Sequence, residues 1–440
     1  MSVSRVDSNQ ENGSGSMRPF FTIWTGQAFS LLGSSLVQFA LVWWLTLTTG
    51  SATVLAVASM MSTLPQVLIS PLAGTLVDRW NRRVVMIVSD GLIALAVVVL
   101  AVLYALDRVQ IWHIYVITFV RAVCGAFHWA SMQASTSLMV PEKHLSRVAG
   151  LNQALQGLAA IIAPPLGALL LDTLPMQSVL AIDVGTAALA VVSLFVVHVP
   201  QPERATTGQD VVQRSVVADL REGVRFLRGW PGMMMVIGIA MIVNLLLHPA
   251  LSLQPLLVTD HFGGQALELA WLQSAFGIGF VAGGITLGAW GGFKRRALTG
   301  GLGLALGGLG FALVGLAPTG ALWLAIGAMF FAGFMMVIVN GSIFAMLQAV
   351  VPPEVQGRVF AVVLSGSGVM APLGLSIAGP VADVMGVRAW FVAGGIVMTA
   401  MGFGTLFVPA VMHIEDKVDL EDMVTETHTV SDAALSSAAQ

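Results

Sequence analysis

Charged residues are scarce in this chain of 440 residues. Only 10% of the residues are Asp, Glu, Lys or Arg, and 56% are hydrophobic, whereas a soluble domain carries about 25% charged residues. The formal net charge is -3, so the chain lacks the basic field that nucleic-acid binding requires. This composition excludes a soluble protein and predicts a protein embedded in a lipid bilayer, without a nucleic-acid partner.

Cysteine is represented by Cys124 alone. A single thiol cannot form an intrachain disulfide or a cluster of thiolate metal ligands. The chain also lacks a G-x-x-x-x-G-K-[ST] loop, which disfavours an ATP-driven pump, and it lacks a nucleophile elbow and a His/Asp metal constellation. We therefore expect no cofactor, no bound metal and no enzymatic activity.

Long apolar runs, separated by charged residues, Pro and Gly, fill most of the chain. A helix needs about 20 apolar residues to cross a bilayer, so the runs predict an all-α membrane protein with twelve transmembrane helices. Residues 1–17 precede the runs as a polar, disordered cytoplasmic segment, and residues 413–440 follow as a cytoplasmic tail. The predicted spans are 18–47, 51–76, 84–104, 112–138, 147–172, 177–198, 231–258, 266–292, 297–316, 320–349, 358–384 and 388–412.

Lys and Arg concentrate in the even-numbered loops between these spans. Arg79, Lys143 and the arginine-containing stretch 204–228 are examples, whereas the odd-numbered loops hold only Arg108 and Arg388. Basic loops stay in the cytoplasm during insertion. The distribution therefore predicts that both termini are cytoplasmic, in a bacterial inner membrane.

Two six-helix halves, 18–198 and 231–412, are joined by a cytoplasmic linker at 199–230. Apolar residues recur at helical spacing in the linker, which predicts an amphipathic helix on the membrane surface; a flexible linker is the alternative. Matching stretches indicate that the halves are pseudo-repeats. Val140-Pro141-Glu142 recurs as Val351-Pro352-Pro353-Glu354, Pro165-Leu166-Gly167 recurs as Pro372-Leu373-Gly374, and Asp172 matches Asp383.

The loop between the second and third spans carries the most specific local pattern. Its glycine allows close approach of helices, its aspartate can pair with basic residues or a helix N-terminus, and its arginines can bridge to acids on neighbouring helices. The pattern predicts a latch that closes the cytoplasmic side when the cavity faces outward; the alternative is that the arginines only fix topology. The latch residues are Gly74, Asp78, Arg79, Arg82 and Arg83.

Ionisable residues inside the spans are candidates for proton coupling. Arg121 needs a partner or a wet cavity, because a buried arginine costs about 2.5–3.5 kcal/mol. Asp183 ranks first among the acids, since it lies inside span 6 with no basic residue near it in sequence. Asp90 and Glu268 are the next candidates, although Asp90 could pair with Arg79 or Arg82 and any of these acids could be structural.

Uncharged polar side chains within the spans predict a substrate cavity of broad specificity, because amides orient a ligand without demanding a charge. Each of them could equally join two helices. Helical periodicity places Arg121, Gly125, His128, Met132 and Ser135 on one face of span 4, where the histidine could be a pH-sensitive contact or a packing residue. The cavity candidates are Gln27, Ser34, Gln38, His128, Asn152, Gln156, Asn244, His248, Asn340 and Gln348.

Small residues recur along span 5 together with two prolines. Small side chains let helices pack closely, and Pro164-Pro165 would bend the helix. Generic helix packing is one explanation of this pattern. The positions of this pattern are Gly150, Ala159, Ala163, Pro164 and Gly167.

Several of these patterns are similar to those of the major facilitator superfamily. The latch loop resembles the signature loop of that family, with Asn81 where the family usually has Gly. Arg121 with Gly125 resembles its R-x-x-x-G element, which the family associates with proton movement, and the span 5 pattern resembles its antiporter element with two glycines replaced by alanine. Further stretches resemble the macrolide-efflux branch of the drug:proton antiporters: TIWTGQAFSLLGSS from Thr22, RAVCGAFH from Arg121, VPEKHLSRVAG from Val140, AID from Ala181 and GRVF from Gly357.

The resemblance covers most of residues 18–412. It implies the major facilitator fold, alternating access and proton-driven export of hydrophobic drugs. The implied partners are a small hydrophobic or amphipathic substrate and protons, and we expect a monomer. A siderophore or metabolite exporter and a proton-coupled importer of the same fold remain alternatives, whereas the intact latch loop and Arg121 disfavour a receptor or scaffold without turnover.

Overall fold

The computed structural model describes residues 17–197, 199–201 and 216–415, and it is built from α-helices within these ranges. Twelve helices are long and apolar enough to cross a membrane, and no strand occurs in the part of the chain that is described. The predicted all-α class and the twelve spans are confirmed. The predicted polar segment up to residue 16 and the tail from residue 416 lie outside the described residues.

The helices of the described residues are numbered in sequence order. The twelve spans are α1 (Arg18–Thr49), α2 (Ala52–Val77), α3 (Arg82–Ala105), α4 (Ile111–Met139), α5 (Glu142–Thr173), α6 (Met176–Val196), α8 (Pro231–Ser252), α10 (Ala266–Trp290), α11 (Arg296–Leu316), α12 (Leu322–Val350), α13 (Pro353–Met385) and α14 (Val387–Leu406). The shorter helices are α7 (Val216–Arg228), α9 (Gln254–Leu256), which continues into a π-helical turn (Leu257–His261), and α15 (Pro409–Met412).

Several helix ends differ from the predicted spans. α5 begins at Glu142 rather than at residue 147, and α13 begins at Pro353 rather than at residue 358. A proline lies at the start of each helix, a position that proline fits well. The first turn after it is polar, so a search for apolar runs does not include it. The predicted span 231–258 ends instead at Ser252, and the last span ends at Leu406 because a turn separates it from α15.

The described chain forms two compact units. The first unit contains the residues up to Gln38, Leu68–Ala159, and the residues from Thr173 into the linker. The second contains Phe39–Val67, Ala160–Asp172 and all described residues from α7 onward. The last part of α1, the first part of α2 and the last part of α5 therefore belong to the same unit as the last six spans.

In the first unit, α3 packs against α4 and α6. Ile23, Met86 and Leu194 are fully buried in the core near one end of this unit. Arg83 donates from Nε to the carbonyl oxygen of Leu194 and from Nη2 to that of Phe195, at 2.7 Å each. A cation is favoured at the C-terminus of a helix, so Arg83 fixes the start of α3 to the end of α6.

In the second unit, α11 packs against α12 and α14. A Cβ atom added at Gly395 would overlap the backbone of Ala312, and one added at Gly402 would overlap the backbone of Ala305. The backbones of α11 and α14 are therefore in direct contact at these glycines. Small residues permit this approach, which supplies van der Waals attraction between helices that have no hydrophobic drive to associate in lipid.

A helix, α7, lies within the predicted linker 199–230, of which residues 202–215 lie outside the described residues. Glu222 Oε1 accepts a hydrogen bond from Arg358 Nη1 at 2.6 Å, and Leu227 is fully buried in the core of the second unit. A Cβ atom at Gly223 would lie 2.8 Å from the carbonyl oxygen of Arg358. α7 therefore packs on the start of α13, and its location on a membrane surface stays a prediction.

Candidate functional site

A cavity of about 310 Å³ lies among α1, α3, α4 and α5 in the first unit. Trp129, Met132 and Leu155 provide apolar lining beside amides, hydroxyls and ionisable groups. A cavity of this composition can hold a ligand with both apolar and polar parts. The polar lining residues are Gln27, Ser30, Ser34, Asp90, Arg121, His128, Gln133, Asn152 and Gln156.

Arg121 of α4 meets Asp183 of α6 behind the cavity lining. Arg121 Nη1 lies 3.1 Å from Asp183 Oδ2, and the two side chains are 12% and 2% exposed. Ser34 Oγ donates to Asp183 Oδ1 at 3.1 Å, and Arg121 Nη2 donates to the carbonyl oxygen of Ser34 at 3.2 Å. The partner that Arg121 was expected to need is therefore Asp183, an acid that has no basic neighbour in the sequence.

Asp90 of α3 belongs to a second polar group that lines the same cavity. Gln27 Nε2 donates to Asp90 Oδ2 at 3.0 Å, and His128 Nε2 lies 3.5 Å from Asp90 Oδ1. Asp90 therefore contacts Gln27 and His128, whereas Arg82 lies near Asp78. Asp90 lies eight residues beyond Arg82, about 12 Å along the helix at 1.5 Å per residue, and its side chain lines the cavity.

The cavity lining and the group directly behind it therefore combine two acids, Asp90 and Asp183, with one permanent cation, Arg121. Arg121 balances the charge of Asp183. Asp90 contacts an amide and an imidazole, and an imidazole is a cation only when it is protonated. The contacts of Asp90 with Gln27 and His128 involve neither Arg121 nor Asp183, so the two polar groups are separate.

Asn152 is held across the cavity wall by α1. Trp24 Nε1 donates to Asn152 Oδ1 at 2.7 Å, so the amide is fixed while it lines the cavity.

Helical spacing could have identified three lining residues that were not predicted. Ser30 precedes Ser34 by four residues, and Trp129 and Gln133 lie next to the predicted face of α4. Ser135 of that face is instead fully buried against Ser131.

Asn244 and Asn340 line a different and smaller cavity, of about 50 Å³, in the second unit. Its other lining residues are mostly apolar, and Asn244 Nδ2 donates to the carbonyl oxygen of Ala240 on its own helix at 2.8 Å. Three predicted cavity residues line neither of these two cavities. They are His248, which is half-buried, and Gln38 and Gln348, which are exposed.

Among the predicted latch residues, Arg82 holds the loop against α4 within the first unit. Arg82 Nη1 donates to the carbonyl oxygen of Ala134 at 2.8 Å, and Arg82 Nη2 lies 3.6 Å from Asp78 Oδ1. The Asp78 side chain is 71% exposed, Arg79 is exposed, and a Cβ atom at Gly74 would meet open space. A role of this loop as a latch stays a prediction.

Glu268 lies at the start of α10, where it acts as a helix cap. Its Oε2 accepts a hydrogen bond from the backbone N–H of Gln265 at 2.9 Å, in a capping box. The carboxylate also lines a cavity of about 540 Å³ that is separate from the group around Asp90. The structure thus gives Glu268 a local structural partner, whereas Asp90 and Asp183 contact other spans.

The predicted antiporter element of α5 is a packing surface in part. Ala159 and Ala163 are buried, and a Cβ atom at Gly167 would lie 2.8 Å from Phe39 Cδ1. Pro164 lies inside the helix, and a Cβ atom at Gly150 would meet open space. Packing therefore explains the small residues at three of the five positions, and their part in antiport stays a prediction.

Residues 23–375 match the family model of the Major Facilitator Superfamily. The chain belongs to the Major Facilitator Superfamily. It is 30% identical over 402 residues to macrolide efflux protein A of Streptococcus pyogenes, covering 91% of this chain and 98% of that protein. It is 26% identical over 396 residues to the multidrug efflux pump Tap of Mycolicibacterium fortuitum, covering 87% and 94%.

Solved structures of the superfamily share the fold of this chain. A variant of the nucleoside transporter NupG matches with a TM-score of 0.67 at 14% identity, covering 89% of this chain and 99% of that one. A bacterial homolog of the human lysosomal transporter Spinster, in an inward-facing and unoccupied conformation, matches with a TM-score of 0.65 at 14% identity, covering 92% and 98%. The facilitator described here is therefore a multi-pass membrane transporter of small molecules, as the sequence predicted.

Proposed function

We propose that this facilitator exports amphipathic small molecules across a bacterial inner membrane in exchange for protons, as a monomer that does not alter its substrate. The observation that carries the proposal is the first-unit cavity, where Trp129 and neutral amides surround the Asp90–His128 group. Amides and hydroxyls can orient varied polar groups while the aromatic ring accepts an apolar surface. The names of the macrolide and multidrug efflux relatives support the direction and the substrate class.

Proton exchange is assigned in this proposal to the cavity-lining pair of Asp90 and His128. Asp183, which the sequence ranks first, is enclosed by Arg121 and Ser34, so it can exchange a proton only after Arg121 moves away. Asp90 can be reached from the cavity without that movement. Substrate and proton then compete at Asp90, while the Arg121–Asp183 pair keeps the rest of the wall electrically neutral.

Asp90→Asn should uncouple substrate accumulation from the pH gradient. In everted membrane vesicles we expect the variant to carry substrate downhill and to lose the response to the gradient, because it has no carboxylate to exchange a proton at the cavity. Asp183→Asn should lower the rate but keep the response. Asp107→Asn is the control, since Asp107 is exposed in the loop after α3 at a positive φ that Asn tolerates. Gradient-dependent accumulation by Asp90→Asn, together with its loss in Asp183→Asn, would assign the proton to Asp183.

The proposed orientation places the N-terminus and the even-numbered loops in the cytoplasm, as the lysine and arginine distribution supports. Cysteines introduced at Asp107 and Arg295, in a Cys124→Ser background, should behave differently towards a membrane-impermeant thiol reagent in intact cells. We expect labelling at position 107 and protection at position 295 until the membrane is permeabilised. Labelling at 295 with protection at 107 would invert the orientation.

A further inference from the structure

We infer that Asp383 is a positioning residue of the transport cycle, whose carboxylate holds the outer ends of α2 and α13 together while the outer side of the transporter is closed. The word outer rests on the orientation in the proposed function. The contacts themselves, all within the second unit, do not depend on that orientation.

Asp383 completes the N-terminal cap of α2. The backbone N–H of Ala52 donates to Asp383 Oδ1 at 2.6 Å, and that of Thr53 donates to Oδ2 at 3.1 Å. Ser51 Oγ donates to Oδ2 at 3.2 Å and accepts from the backbone N–H of Val54 at 3.3 Å. The first N–H groups of α2 are therefore divided between Ser51, next to them in the chain, and an aspartate of another span.

The N–H groups of the first turn of a helix have no partner within the helix. Their acceptor is usually the side chain that directly precedes the helix, whereas Asp383 is 331 residues from Ala52. A carboxylate there also interacts favourably with the positive end of the helix dipole. This part of the cap exists only while α13 lies beside α2, so separating the two helix ends breaks three hydrogen bonds together.

α13 and α2 also pack closely next to the Asp383 contact. A Cβ atom at Gly379, one turn before Asp383, would lie 2.9 Å from both Ala56 Cβ and Thr53 Cα. Only a glycine lets α13 approach α2 this closely without displacing it. The polar bonds at Asp383 thus lie at the end of a direct helix contact, where they fix the position of α13 along α2.

Asp172, at the end of α5, matches Asp383 in the sequence. Within the described part of the chain, it does not form the same kind of cap on the helix that corresponds to α2. The equivalent of α2 in the second half is α10, and its first turn is capped by its own Glu268 through Gln265. Asp172 and the start of α10 line a cavity of about 540 Å³. Only Asp383 of this pair of aspartates caps the facing helix, and Asp172 provides a matched control.

The distance between the end of α1 and the end of α13, measured across the Asp383 contact, reports whether α13 lies beside α2. Spin labels on Thr48→Cys and Met385→Cys, two exposed positions flanking the contact, are measured by pulsed electron paramagnetic resonance in lipid nanodiscs, in a Cys124→Ser background. We expect a mainly short distance in the parent protein. Asp383→Asn should raise the ratio of long to short distances about threefold to tenfold, a modest shift because Asp383 is exposed.

A second variant leaves Asp383 in place and removes a donor. Ala52→Pro lacks the N–H that bonds Oδ1, and proline is tolerated at the first position of a helix, so it should shift the distances in the same direction. Asp172→Asn should leave them at the parent values. Unchanged distances in both Asp383→Asn and Ala52→Pro, or an equal shift in Asp172→Asn, would overturn the inference.

If Asp383→Asn does not fold, the Ala52→Pro measurement decides the result alone. The distances do not depend on substrate identity or proton coupling. A failure of the proposed export function in vesicles is therefore distinguishable from a failure of this inference.

Discussion

Arg121→Leu should lower the free energy of unfolding of the purified transporter by about 3–5 kcal/mol, because it leaves the buried Asp183 carboxylate without its cation. The loss is measured by thermal or denaturant unfolding in detergent. The remaining hydrogen bond from Ser34 cannot compensate a charge in a site of low dielectric constant. The same variant should also accumulate less well in membranes.

The double variant Arg121→Leu with Asp183→Leu is the decisive comparison. Removing both charges restores an apolar interior, and such replacements are often neutral or stabilising, so we expect most of the lost stability to return. Arg108→Leu, an exposed arginine of the loop after α3, should change stability by no more than about 0.5 kcal/mol. A double variant as unstable as the single one would show that these residues do not act as a pair.

Gly395→Val should prevent accumulation of folded protein. Any Cβ at this position overlaps the backbone of Ala312 and lies 2.6 Å from the carbonyl oxygen of Gly308, and backbone atoms cannot move aside as a flexible side chain can. We expect a destabilisation above about 3 kcal/mol, at the upper end of overpacking effects. Size-exclusion chromatography of a fluorescent fusion measures the folded yield.

Gly404→Val is the matched control on the same helix, because a Cβ atom at Gly404 meets open space. It adds the same side chain to α14 without touching α11. Its folded yield should therefore equal that of the parent protein. Equal yields of both valine variants would mean that α14 can move away from α11 at no cost.

The twelve spans could be predicted because lipid imposes a simple requirement on length and polarity. Their ends could not be predicted as well. The first turns of α5 and α13 contain polar residues after a proline, and helical hydrogen bonding continues through such a turn whatever its polarity. The apolar run marks the part of a helix that crosses lipid, and not the whole helix.

Cavity-lining residues could be predicted where they lie on a single helix. Arg121, Gly125, His128 and Met132 share a face of α4 and all line the cavity, because helical periodicity fixes their relative directions. The pair of Arg121 with Asp183 was not predictable in this way, since 62 residues separate them on different helices. No sequence rule states how one span is rotated about its axis relative to another.

The same limit explains the amides that lie elsewhere. Gln38 follows Ser34 by one turn, yet Ser34 lines the cavity and Gln38 is exposed. Gln348 is exposed near the end of α12. A polar side chain in a span indicates only that some polar environment exists nearby, and the packing of the neighbouring helices decides whether that is a cavity, another helix or the membrane interface.

The glycine contact of α11 also imposes an order on biosynthesis. α11 is enclosed by protein along 67% of its most apolar stretch, and one of the helices that enclose it, α14, leaves the ribosome after α11. Until then, the newly inserted α11 exposes its glycine-rich backbone to lipid or to an insertion chaperone. A premature stop codon before α14 therefore removes the covering of a second span as well, and the truncated chain becomes a substrate for membrane quality-control proteases.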